Sequence, residues 1–160
     1  MNKVTLGGYR YEGRSSKPKI DVAFSQQGDR QIELIQPVND EPSAYRDFLA
    51  AGGNGAHHHG WFCDDYATEV DAAERAGRTE LHRGNWGALH FVYYHPLNNE
   101  EMIGELIEMS DLSRKLFALI RREAEHWDGG RPSRSILGAA DWDIRWTAVK
   151  VQVGTLLGGS

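Results

Sequence analysis

The 160-residue chain has one cysteine, Cys63, so no disulfide can form within it. It has no run of 18 apolar residues, which excludes a membrane-spanning helix. Residues 1–10 hold no apolar stretch of the kind a signal peptide needs. Positive charge is not in excess: 18 Lys and Arg stand against 23 Asp and Glu, a net charge of −5. Nucleic acid is therefore not an expected partner, since phosphate recognition needs clustered cations. No glycine-rich phosphate loop leads into a helix; Gly52-Gly53-Asn54-Gly55 follows one instead. What remains is an expectation of a soluble, cytoplasmic protein whose partner is a small molecule.

Apolar residues make up 40% and charged residues 26%, enough for a real core in one domain over 1–160. Eighteen glycines exceed the usual share of ~7% and predict many turns. Alternating apolar and polar residues predict strands over 4–12, 20–25 and 30–36, arranged as an antiparallel meander. Pro37 ends the third. Ser43 caps a helix containing Tyr45, Phe48 and Leu49. A strand follows over 56–63, then a helix over 66–75 begun by Asp64 or Asp65. Residues 79–95 read as β structure around a turn at Arg83-Gly84-Asn85. Asn98-Asn99 is a further turn, and residues 102–109 are a strand. Residues 112–127 carry the apolar stripe Leu112, Leu116, Leu119, Ile120 and Ala124 of an amphipathic helix. Residues 142–153 alternate again and predict a last strand.

Two strands echo each other. Gln31-Ile32-Glu33-Leu34-Ile35 and Leu106-Ile107-Glu108-Met109 each set one carboxylate in an apolar run. A carboxylate there is costly unless it is paired, hydrogen-bonded or bound to a metal. The other reading is a pair of exposed edge-strand glutamates. Between them lies Gly55-Ala56-His57-His58-His59-Gly60-Trp61-Phe62. Neighbouring residues of a strand point to opposite faces, so either His58 or the pair His57 and His59 turns inward. Imidazole with carboxylates suits Zn, Ni, Co, Mn or Fe. His82, His90, His95 and His126 read as packing or surface residues.

The succession Glu33-Leu34-Ile35-Gln36-Pro37, Tyr45-Arg46-Asp47-Phe48-Leu49, Gly55-Ala56-His57-His58 and Gly104-Glu105-Leu106-Ile107-Glu108-Met109 resembles the vicinal oxygen chelate superfamily. The likeness is nearest the glyoxalase and methylmalonyl-CoA epimerase branch, without the usual first strand and helix. It implies an α+β fold of paired βαβββ-type modules, with curved mixed or antiparallel sheets forming a cup and helices outside. Residues 1–52 would be an incomplete first module and 53–128 a second. Residues 129–160 would be an extension whose strand, or a partner chain, completes the first. The resemblance makes Glu33, His58 and Glu108 ligands of a divalent metal, with Glu33 also the catalytic base; with His58 inward, His57 points to the opposite face of the strand and should matter far less. The implied activity is that of a lyase or isomerase acting on a small oxygenated substrate through an enediolate-type intermediate. The alternative is a metal-free small-molecule binding protein on the same fold. Trp61, Trp86, Tyr93 and Tyr94 are candidates to line the ligand site, or else to fill the core. Because modules of this kind pair edge to edge, a homodimer is expected.

Overall fold

The computed structural model describes residues 2–97 and 102–130. The strand expected over 142–153 and the turn at Asn98-Asn99 lie outside them.

The N-terminal half begins with β1 (Asn2–Thr5), β2 (Gly7–Tyr11) and the short β3 (Arg14–Ser15). Then come β4 (Lys19–Gln27) and β5 (Arg30–Pro37). Gly28, at φ 58°, takes the left-handed conformation that lets β4 fold straight back into β5. These strands split between two sheets. One is antiparallel, in the order β1-β4-β5. The single strand expected over 4–12 is thus divided: β1 stays with the meander, while β2 crosses to the other sheet.

The second half is a complete βαβββ unit: β6 (His58–Cys63), α2 (Tyr66–Arg75), β7 (Glu80–Trp86), β8 (Leu89–Tyr94) and β9 (Ile103–Glu108). Helix α1 (Ala44–Ala50) precedes it, capped by the Ser43 hydroxyl, which accepts from the Arg46 amide. Asp65 caps α2 in the same way. The six-stranded sheet runs β3-β2-β7-β8-β9-β6, with β6 parallel to β9 and its other pairings antiparallel. The β7–β8 turn falls at Gly87-Ala88, not at Gly84. Gly84 sits inside β7 because a side chain there would press on Phe91 and Tyr9.

One core lies between the sheets, built on Tyr9, Ile20, Tyr45, Leu81, Phe91 and Tyr93. A second lies under α2, where Val70 covers Val92, Tyr94 and Leu106. Helix α3 (Asp111–Glu125) departs from the expected placement of helices outside the cup. Its Phe117 ring meets Phe24 of β4 at 6.1 Å and Phe62 of β6 at 4.9 Å, so it bridges the inner faces of both sheets. Arg114 pairs with Asp64 and Arg121 with Asp29, tying α3 to each side.

The two halves share a tripeptide. Glu33-Leu34-Ile35 in β5 and Glu105-Leu106-Ile107 in β9 lie 72 positions apart. Leu106 is 1% exposed beneath α2, whereas Leu34 is 60% exposed, because no helix among the described residues covers the outer face of β5.

Candidate metal centre

Alternation along paired strands decides which side chains enter the cup. On β6 the inward positions are His58, Gly60 and Phe62, and their parallel partners on β9 are Ile103, Glu105 and Ile107. Tyr93 of β8 stands opposite Glu105. From the smaller sheet, Glu33 of β5 enters beside Phe24 of β4.

Glu33, His58 and Glu105 converge, each offering a ligand atom within 4.8 Å of the others. His58 Nε2 lies 3.5 Å from Glu33 Oε2 and 3.3 Å from Glu105 Oε2. Donor atoms about 2.0–2.2 Å from a tetrahedral ion stand roughly 3.3–3.6 Å apart, so these spacings fit a shared divalent cation. Gly60 makes room for the cluster. A Cβ there would lie 3.0 Å from Glu105 Oε2 and 3.2 Å from Ile107 Cδ1.

Glu33 and His58 thus come together as read from the sequence, but the third carboxylate is Glu105 and not Glu108. Three positions along a strand reverse the face, and Glu108 pairs with His90 on the far side. The aromatic candidates divide likewise. Tyr93 lines the cup, its hydroxyl 3.4 Å from His58 Nε2 and accepting from the Tyr45 hydroxyl at 3.4 Å. Trp86 faces inward and stacks on Phe24. Trp61 lies on the outer face, with the Arg78 guanidinium 5.8 Å above its ring. Tyr94 fills the core under α2. Neither of these two lines the site.

The electrostatics follow from burial and contact. Burial pulls His58 down, but hydrogen bonds to Glu105 and Glu33 outweigh it and raise the imidazole to about 9. Burial raises Glu105, opposed by its hydrogen bond with His58. Without a metal, a protonated His58 bridges two carboxylates. An ion must displace that proton, so its hold should weaken from about pH 9 downward.

His57 touches His58 directly. It precedes the strand, and its Nδ1 lies 3.1 Å from Nδ1 of His58. Burial and the neighbouring His58 push His57 down to about 4, so it is neutral. If His58 donates from Nδ1, His57 must accept at Nδ1 and carry its own proton on Nε2. That arrangement turns Nε2 of His58 toward the carboxylates. His57→Ala should therefore weaken metal binding roughly 10–100-fold. His57→Asn, which keeps an acceptor near the Nδ1 position, should recover most of the loss. Calorimetric titration of both variants tests this, and equal loss in the two would refute it.

The family model for the glyoxalase/bleomycin resistance protein/dioxygenase superfamily matches residues 3–94, more than half of the chain. No curated protein matches it. No helix among the described residues is long and apolar enough to cross a membrane.

Proposed function

Since the chain belongs to the glyoxalase/bleomycin resistance protein/dioxygenase superfamily, we propose that it is a divalent-metal lyase or isomerase of the glyoxalase kind. The observation that supports this is the spacing of His58 Nε2 from the two carboxylates, 3.3 and 3.5 Å. Glu33, His58 and Glu105 would hold the ion. When bound, it supplies Lewis-acid polarisation to two adjacent substrate oxygens.

The chain's own residues then divide the work by burial. Glu105 has a side chain 8% exposed and is locked against His58, which suits a fixed ligand. Glu33, 24% exposed, stands on the open side and is the group placed to take a proton from the carbon next to a carbonyl. Tyr93, which accepts from the Tyr45 hydroxyl, is placed to donate to Glu105 and hold that carboxylate in position.

The test combines metal content with proton exchange. Protein stripped by chelator and titrated with Zn, Ni, Co, Mn or Fe(II) should bind one ion per chain. The loaded protein should exchange the α-proton of a 2-hydroxycarbonyl compound with solvent deuterium, and Glu33→Gln should abolish that exchange. Failure to bind any divalent ion between pH 7 and 9 would favour the metal-free binding protein, with His58 serving as a permanent cationic bridge.

A further inference from the structure

The walls of the cup say what the rest of the substrate is made of. Register and alternation put Ile20, Val22, Phe24 and Gln26 of β4 on the inner face of the small sheet, opposite Gln31, Glu33, Ile35 and Pro37 of β5. On the large sheet the inward positions of β6, β7, β8 and β9 are His, Gly, Phe, Trp, Tyr, Leu, Ile and one Glu. None of these positions carries Lys or Arg. An anionic tail such as a phosphate would meet only Glu33 and Glu105 there, and repulsion without a paired cation opposes such binding. The two α3 arginines at the edges are engaged, Arg114 by Asp64 and Arg121 by Asp29.

Beside the carboxylates stand four aromatic rings. Phe24 is the direct cross-strand neighbour of Glu33. It stacks on Trp86 at 6.3 Å with 14° between planes, and meets Phe117 edge-on at 6.1 Å. Phe62, on the His58 face of β6, meets Phe117 at 4.9 Å. Phe62 is 41% exposed, an apolar surface left uncovered on the side of the strand that faces the metal ligands. The open part of Phe62 offers ring surface on which another planar ring can pack.

We infer that the non-chelating part of the substrate is an uncharged aromatic ring, seated against Phe24, Phe62, Trp86 and Phe117. The inference rests on the metal-site reading for the substrate's head, but the ring site stands on its own residues. Its test separates the two.

The metal-loaded protein is titrated calorimetrically with three 2-hydroxy acids that share one chelating head: mandelate with a phenyl group, lactate with a methyl group, and 3-phosphoglycerate with a terminal phosphate. Burying the phenyl ring should make mandelate bind about tenfold or more tighter than lactate, and the phosphate compound should gain nothing over lactate. Phe117→Ala should reduce the mandelate-to-lactate ratio to within about threefold, with metal affinity reporting that the variant is folded. Trp86→Leu should lower the same ratio from the other wall. Separately, in metal-free protein, millimolar benzyl alcohol should shift the amide resonances of Phe24, Phe62, Trp86 and Phe117. Equal affinity for mandelate and lactate, or tightest binding of the phosphate compound, overturns the inference while leaving the metal site standing. Benzyl alcohol shifts at these four residues in a protein that binds no metal would sink the metal reading and leave the ring site.

Discussion

Glu105→Ala is expected to lower divalent-ion affinity at least about a hundredfold, while Glu108→Ala changes it by no more than about threefold. The two glutamates lie three residues apart on one strand, and their side chains leave opposite faces. Glu105 touches His58, and Glu108 touches His90 on the far side. A small centre with three protein ligands cannot lose one and keep its hold, because the remaining two leave the ion to water. His58→Ala should match Glu105→Ala. The measurement is a competitive titration with a chromophoric chelator at pH 8. The reverse ranking, with Glu108 essential, would mean that β9 is shifted by one residue relative to β6.

His82→Leu is expected to stabilise the protein, on the order of 1 kcal/mol at pH 7. His82 is 0% exposed and neither ring nitrogen has a hydrogen-bond partner. Its ring lies 4.0 Å from that of Tyr93 and also meets Tyr9, Tyr45 and Phe91. Burial holds it well below the usual histidine range. The unfolded chain therefore takes up this proton first, and stability is lost as pH falls below about 6.5. His57, pushed down to about 4, adds to the same acid limb. His58 acts in the opposite sense. Raised to about 9, it contributes stability that is full below about 6.5 and is lost as pH rises through 9. Taken together, the three histidines favour the metal-free fold most near pH 6.5. His82→Leu should flatten only the acid side. Denaturation midpoints at pH 5, 6.5 and 9 decide it; an unchanged acid slope in the variant would assign that limb to other groups.

Most elements were readable because each carried a local signal. The alternation in 30–36 and the apolar stripe over 112–127 are patterns that packing reinforces. The caps at Ser43 and Asp65 mark helix starts with their own side chains. What was not readable depended on pairing. The break between β1 and β2 is decided by which sheet each strand joins, and residues 4–12 read the same either way. The inward place of α3 was hidden for a similar reason: an amphipathic stripe shows which side is buried but not against what. At the site, Glu33 and His58 were legible from neighbouring motifs. The resemblance singles out Glu108, whose side chain pairs with His90 on the opposite face of β9 from the cluster. The repeated Glu-Leu-Ile at 33–35 and 105–107 was the signal that would have pointed to Glu105. Strand alternation says nothing of His57, because it lies one residue before β6 begins.

The two carboxylates of the cluster arrive from different sheets, Glu33 from the small one and Glu105 from the large one. An ion gripped by both would be a rivet across the seam of the molecule. Holding the ion and holding the halves together then become one equilibrium. Each tenfold excess of free ion over its dissociation constant adds about 1.4 kcal/mol to the cohesion of the whole. The melting temperature then becomes a gauge of metal supply, and a chelator loosens the cup before it reaches any substrate.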